Sequence, residues 1–397
     1  MAQYKMLDGN AAAVQAVSMA GVKVVSAYPI TPQSPIAEKL SDLIAQGTLD
    51  AKYIRVESEH SALSCALGAQ LTGVRAATAT ASVGLALMHE ICNAVSGMRV
   101  PMVMPVVNRA LASPWSLWCD HQDSMAERGW LQFYCENVQE IYDLLLMAYR
   151  IAEHEKVLLP AMVCFDGFFL SHSMQKVLVP EQEEVTEFIG PYQKKNFWLD
   201  PADPVFINDL ISLEEFTEMK YQMMKGFEAA EEVFGKTAEA FEARFGRKLQ
   251  MLEGYRTEDA ETILVGMGSM MGTMKYFVNE QREKGEKVGA VKVTCFRPFP
   301  AKQMKILTQN AKRIAVFDRS AGLGAMGGPL FQETVSAVGG GCIVKDYIGG
   351  LGGRDVNPAT IQRMYDDILH AEAASNIPVW IDTKENPMDI REVLRYV

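Results

Sequence analysis

Val22-Lys-Val-Val-Ser-Ala27 runs directly into Tyr28-Pro-Ile-Thr-Pro32. The apolar run reads as a buried strand. The two prolines that follow stop it, stiffen the turn and set Pro32 to open the next helix. Thr31 is thereby placed at the carboxyl end of a strand, the edge at which open α/β sheets hold their ligands. Further on, Tyr53-Ile-Arg-Val56 reads as a second short strand leading into Glu57-Ser-Glu59-His-Ser61, so carboxylates stand at the end of a neighbouring strand. Two strand ends carrying polar groups make a candidate site. Helix capping is the other role open to these residues.

Outward from this stretch, strands and helices alternate. Asn10 to Ala20 reads as a helix ending at Gly21, and Ile36, Leu40 and Ile44 mark one face of another that stops at Gly47. His60 to Leu71 mixes small with apolar residues, a composition that allows close helix packing. Val74 to Thr80 is expected as a strand broken at Ser82-Val-Gly84, Leu85 to Val95 as a helix, and Pro101 to Val107 as a strand delivering Asn108-Arg109 to its end. A helix over Glu140 to Ala152 and a strand over Pro160 to Phe165, ending at Asp166-Gly167, complete the first unit. Continuously apolar strands spaced by helices describe a parallel sheet covered on both faces, a doubly wound α/β arrangement.

Pro180 to Asp200 is expected to be an irregular surface excursion. Ser212 to about Gly246 reads as one helical arm, with Met219, Met223, Met224, Phe227 and Val233 available for burial. A second α/β unit begins near Asp259, with strands over Ile263–Met267, Val288–Phe296, Ile314–Phe317 and Ile343–Ile348. Two glycine runs, Gly322–Gly328 and Gly349–Gly353, interrupt it, and a last helix spans Pro358 to about Ala374.

At 397 residues the chain exceeds one ordinary core. A net charge of −11 without a Lys/Arg stripe excludes nucleic acid as a partner. No apolar run is long enough to span a bilayer and the N-terminus lacks a signal pattern, so no membrane association and a cytoplasmic location are expected. The 7 cysteines are scattered without a CxxC pair, so no metal or iron–sulfur site is expected within this chain. Cys119, beside a polar turn, is the one to follow.

Among candidate functional groups, Arg109 offers a planar fork that matches a carboxylate, with a surface ion pair as its alternative role. Thr31 can donate to the same carboxylate or cap a helix before Pro32. Glu59 can bond a ring nitrogen of a cofactor or complement a helix dipole. Asp120-His121-Gln122-Asp123 reads as a polar loop in preference to a metal or acid–base cluster, because no second histidine stands at ligand spacing. The glycine runs lack phosphate-loop and dinucleotide fingerprints.

Taken in order, Tyr28-Pro-Ile-Thr-Pro32, Glu57-Ser-Glu59-His-Ser-Ala62, Gly84-Leu-Ala-Leu-Met-His-Glu90, Val107-Asn-Arg-Ala110, Asp120-His-Gln-Asp123 and Asp166-Gly-Phe168 resemble the α subunit of pyruvate:ferredoxin oxidoreductase and its 2-oxoacid relatives. Cys295-Phe-Arg-Pro-Phe-Pro300 and Gly349-Gly-Leu-Gly-Gly353 extend the likeness over nearly the whole chain. The resemblance implies a pyrimidine-type thiamine diphosphate-binding domain over 1–255, with a helical arm near 212–246. A transketolase C-terminal-like α/β domain follows over 256–397.

The same resemblance implies a CoA-dependent oxidative decarboxylation of a 2-oxoacid, pyruvate first, active only with partner subunits. Glu59 would bond N1′ of the aminopyrimidine, Tyr28 and Pro29 would line the cofactor, and Thr31 and Arg109 would hold the substrate's carboxylate. Arg109 would also touch the cofactor. Mg²⁺ and [4Fe-4S] clusters would lie on partner subunits of β, γ and ferredoxin-like δ type, with ferredoxin as electron acceptor and coenzyme A as co-substrate. Two departures stand out. Val83 replaces a polar residue common in the family, and Trp115 and Trp118 precede the Asp-His-Gln-Asp run where pyruvate enzymes carry smaller residues. Tryptophans lining the pocket would favour a branched or aryl 2-oxoacid, such as 2-oxoisovalerate or phenylglyoxylate; tryptophans packed outward would leave pyruvate. A non-catalytic scaffold subunit is the alternative of another class.

Overall fold

The computed structural model describes residues 2–193, 198–385 and 391. Its first part contains β1 (Gln3–Leu7), β2 (Val24–Ala27), β3 (Lys52–Arg55), β4 (Ala76–Ala77), β5 (Val103–Asn108), β6 (Leu131–Tyr134), β7 (Ala161–Asp166) and β8 (Gln175–Val179). Strands β3-β2-β4 and β5-β7-β6 are parallel throughout, and the pairing of Thr80 with Val106 joins them into one sheet. The chain first goes from β2 outward to β3 and then returns to β2's other side. That reversal opens a crevice at the carboxyl ends of β2, β3, β4 and β5, the place where doubly wound sheets receive ligands. β1 and β8 form a separate antiparallel ribbon.

The helix Val138–Ala152 is almost wholly buried, because apolar side chains face both the sheet and the outer helices Gly9–Met19 and Leu213–Phe245. The arm is a single helix of 33 residues, about 50 Å long. Ser212 caps it by accepting from Glu215 N, and left-handed Gly246 ends it. Its packing is continuous from Gly226, which lies against Val157 O, through Phe234 against Phe133 and Phe241 against Phe188, and ahead of it Arg99 donates to Gln222 O. Met219 and Met224, expected to be buried, are exposed, Met219 at a groove that the arm forms with the helix His89–Gly97.

The second part holds β9 (Leu252–Tyr255), β10 (Thr262–Gly266), β11 (Val288–Val293), β12 (Cys295–Arg297), β13 (Arg313–Asp318), β14 (Ile343–Ile348) and β15 (Val379–Trp380). Its sheet runs β15-β14-β13-β10-β11-β9, parallel except for β9. The expected strand Val288–Phe296 is two strands, for after Val293 the chain leaves this sheet and β12 pairs antiparallel with β6 of the first.

Other local expectations are corrected. The helix after the two prolines starts at Ser34 with Pro35 in its first turn, so Thr31 is not its cap. Ser82 begins a helix (Ser82–Leu87) instead of a break, and a second follows over His89–Gly97. Gln182–Ile189 forms a helix with a capping box inside the stretch expected to be irregular; the remainder of that stretch over 194–197 lies outside the described residues. Among the described residues no helix is long and apolar enough to cross a membrane.

Candidate active site

The carboxyl ends of β2, β3, β4 and β5 bring Thr31, Glu59, Thr80 and Arg109 to one edge. Glu59 is the first residue of the helix Glu59–Leu71, whose cap Ser58 accepts from Ser61 N, so its carboxylate lies near the positive end of the helix. It is only 7% exposed, and among the described residues no hydrogen bond or ion pair reaches it. Buried carboxylates are ordinarily bonded, so one held inward without a protein donor is poised for a group from outside the chain. The hydroxyl of Thr80, also buried, has no hydrogen-bond partner among the described residues either.

Gly84 forms the opposing wall. A Cβ there would stand 2.6 Å from Thr80 Oγ1 and 2.8 Å from Glu59 Oε1, so only glycine lets this helix approach the carboxylate. Gly84→Ala is therefore expected to displace Glu59 and, on the role proposed for Glu59 below, to lower turnover about a hundredfold, the cost of a shift near 1 Å at a positioned group. The thermal midpoint of the variant should fall as well, because the added Cβ also meets the fully buried Thr80 Oγ1 at 2.6 Å. Steady-state kinetics beside a melting curve checks both statements.

Arg109 follows β5 and is held from three sides. Its Nε donates to Ser116 O at 3.0 Å and its Nη1 to Thr31 O at 2.8 Å, and the Trp115 ring lies 5.3 Å from the guanidinium carbon. Among the described residues Nη2 has no hydrogen bond. No carboxylate pairs with this side chain there, so the surface ion pair considered for it is absent among the described residues. Thr31, Tyr28 and Pro29 are exposed at the rim. Gly167 makes the Thr31–Arg109 contact possible: a Cβ on it would meet Asn108 O at 2.5 Å and Pro32 Cγ at 2.8 Å.

Asp120-His121-Gln122-Asp123, expected as a polar loop, is instead largely buried and tightly bonded. Asp123 Oδ1 accepts from Asn108 Nδ2 (2.7 Å) and Ser124 N (2.8 Å), and Oδ2 accepts from Ser82 N and Arg109 N (both 3.0 Å). Burial pushes its carboxyl up to about 6, against the hydrogen bonds from Asn108, Arg109 and Ser82. Asp120 accepts from Gly352 N at 3.0 Å.

His121 Nε2 bonds Asp166 Oδ1 at 2.9 Å, while Asp166 Oδ2 accepts from Ser269 N (3.0 Å) and Arg319 Nη1 (2.7 Å). Burial works to raise the Asp166 carboxyl, but Arg319 and His121 outweigh it and hold it well below the usual range. Cys119 is fully buried with its Sγ 2.7 Å from Arg319 Nη2, and burial pushes the thiol up to about 12, which leaves it inert at neutral pH. Asp166 ends β7, and Ser269, Arg319 and Gly352 follow β10, β13 and β14, so the carboxyl edges of the two sheets face each other across this network.

Residues 15–239 match the family model described as pyruvate flavodoxin/ferredoxin oxidoreductase, thiamine diphosphate-binding, and residues 260–361 match pyruvate:ferredoxin oxidoreductase core domain II. The chain belongs to this family. A pyruvate synthase subunit PorA of Pyrococcus furiosus is 46% identical over 356 residues, covering 89% of this chain and 90% of the relative. The Methanocaldococcus jannaschii counterpart is 44% identical over 389 residues, 97% of this chain and 99% of its own. A ketoisovalerate oxidoreductase subunit VorA of Pyrococcus horikoshii is also 44% identical, over 370 residues, 92% of this chain and 93% of the relative. The solved structure of a 2-oxoglutarate:ferredoxin oxidoreductase from Magnetococcus marinus superposes with a TM-score of 0.70 at 19% identity, over 92% of this chain and 65% of that one, which is a likeness of fold. The expected α/β architecture and the family resemblance are thus borne out, and this chain is a subunit of an oxidoreductase.

Within this pyruvate:ferredoxin oxidoreductase-family chain, Thr80, Ser82 and Arg319 were given no role from the sequence, and Asp123 and Asp166 were quoted in its motifs without one. Asp166 carried a signal, an acid directly after an apolar strand. Arg319 carried a comparable one, a charged residue directly after β13, at a strand end in the second sheet.

Proposed function

We propose that this chain supplies the aminopyrimidine-binding half of a thiamine diphosphate site in a CoA-dependent 2-oxoacid:ferredoxin oxidoreductase acting on pyruvate. The observation that carries the reading is the buried Glu59 carboxylate, without a hydrogen bond among the described residues and walled by Gly84. A carboxylate so held fits a ring nitrogen of a bound aminopyrimidine, and Thr80 and the glycine wall fit a flat ring beside it. Thiamine diphosphate, when bound, supplies the electron sink that a 2-oxoacid needs to release CO₂.

What this chain's own residues do follows from their positions. Glu59 holds a proton between its carboxylate and the ring nitrogen. Tyr28 and Pro29 border the cofactor from the rim. Arg109 Nη2 and the Thr31 hydroxyl bind the substrate's carboxylate, and the Thr31 and Ser116 carbonyls keep the guanidinium aimed. In the proposed division, 1–255 is the pyrimidine-binding domain and 256–397 the transketolase C-terminal-like domain. Mg²⁺ and the [4Fe-4S] clusters belong to partner subunits of β, γ and δ type, ferredoxin accepts the electrons, and the complex works in the cytoplasm.

A second reading, a branched-chain 2-oxoacid, is favoured by Trp115. This ring lies over Arg109 although it is 68% exposed, and relatives named for pyruvate and for ketoisovalerate stand at similar identity. CoA-dependent reduction of a low-potential viologen by the assembled complex, with pyruvate and 2-oxoisovalerate compared, separates the two. Higher kcat/KM for pyruvate is expected. The reverse order moves the assignment to the branched substrate, and Trp115→Ala should then lower that preference about tenfold. Activity with neither substrate overturns the 2-oxoacid reading.

A further inference from the structure

We propose that Asp123 is a positioning residue for the reaction: one carboxylate that locks the Arg109 backbone to the start of the helix carrying Gly84. This rests on the reading that Arg109 anchors the substrate. Both oxygens of Asp123 accept twice, Oδ1 from Asn108 Nδ2 and Ser124 N, Oδ2 from Ser82 N and Arg109 N, at 2.7 to 3.0 Å. Four donors converge on one side chain that is 3% exposed. The four lone-pair directions of a carboxylate are all engaged, and neither oxygen has room for a proton without losing a bond.

The elements so joined are separate in sequence and form opposite walls of the crevice. Asn108 and Arg109 leave β5, and Ser82 opens the helix that places Gly84 against Glu59. Ser82 has a φ of 50°, a strained value for a residue with a side chain, and persists in it because its N–H is held by Asp123 and its hydroxyl donates to Ala110 O at 2.6 Å. Releasing Oδ2 frees the Ser82 strain and the Arg109 backbone in the same event. Ser124 completes the frame, its Oγ accepting from Asn108 Nδ2 (2.7 Å) and meeting Tyr134 OH (2.8 Å).

An amide cannot replace this carboxylate. In Asp123→Asn the NH₂ group faces two N–H donors whichever way the side chain is turned. The assembled complex of this variant is expected to show KM for the 2-oxoacid raised about tenfold or more, with a smaller change in kcat.

The exchange Asn108→Asp with Asp123→Asn is designed to repair the frame. The amide at 123 then donates to the carboxylate at 108 and turns its oxygen toward Ser82 N and Arg109 N, which restores the link between the two walls and gives up only the bond from Ser124 N. This double variant should return KM to within about threefold of the parent, a rescue that mere loss of fold would not give. Arg109→Lys is measured beside them. If it leaves KM unchanged, the anchoring reading fails; if it raises KM while Asp123→Asn does not, positioning by Asp123 fails. Loss of assembly in both the single and the double variant, or equal KM in both, also overturns the proposal, since Asp123 would then serve the fold alone.

Discussion

Glu59→Gln is expected to assemble with its partner subunits and to lose about 10²–10⁴ in kcat, the span associated with a positioned acid–base group. The substitution keeps the shape of the side chain, so its contact with Gly84, where a Cβ would meet Oε1 at 2.8 Å, is preserved. The negative charge and the capacity to hold a proton at a ring nitrogen are lost. Stability should move little: the charge contributes at most about 1 kcal/mol through its place in the first turn of a helix, and a neutral amide avoids the desolvation of a charge. Thiamine diphosphate affinity should fall less than kcat. Viologen reduction, calorimetric titration with the cofactor and a melting curve together test this. Retention of more than a tenth of parental kcat, with the cofactor bound, would falsify the assignment of Glu59.

How far such a site can be read without coordinates depends on the distance over which its residues act. Thr31, Glu59 and Arg109 were legible because each stands within four residues of a strand end, Arg109 directly after the wholly buried β5, and the strand ends define the edge. Asp120 and Asp123 were not, because what distinguishes them from a solvated loop is remote: Asp120 bonds Gly352, and the adjoining His121 bonds Asp166. An acidic turn looks the same in sequence whether or not such partners come to meet it. The arm was legible in extent, since Ser212 and Gly246 are strong caps, but not in burial, since Met219 and Met224 are apolar residues for which the single chain provides no cover. The strand over Val288–Phe296 was read as one because apolar continuity hides a change of partner; the exchange near Thr294, whose N–H bonds Met251 O, is a tertiary event.

The fate of Arg109 gives the sharpest test of what the substrate's carboxylate touches. Arg109→Lys keeps the charge and loses the fork. Its three N–H donors sit on one nitrogen and cannot span the positions of Ser116 O and Thr31 O, which Arg109 reaches with Nε and Nη1, together with the carboxylate proposed for Nη2. Without the two carbonyl contacts the cation is no longer aimed, and the packing of Trp115 over it, now at 5.3 Å, is weakened. A hydrogen bond to a charged group is worth about 1.5–3 kcal/mol, so kcat/KM for pyruvate should fall about 10–100-fold for Arg109→Lys and further for Arg109→Met. Most of the loss should appear in KM, because an anchored carboxylate is held in the ground state as well as at the barrier. Thiamine diphosphate titration should be nearly unchanged. Methyl pyruvate supplies the control that separates an anchor from a general disturbance: it has no carboxylate to lose, so the parent should prefer pyruvate over the ester strongly and Arg109→Met should not. Equal loss on both substrates would mean that Arg109 shapes the crevice without binding the carboxylate, and the substrate's anchor would have to be sought among the donors of the partner subunits.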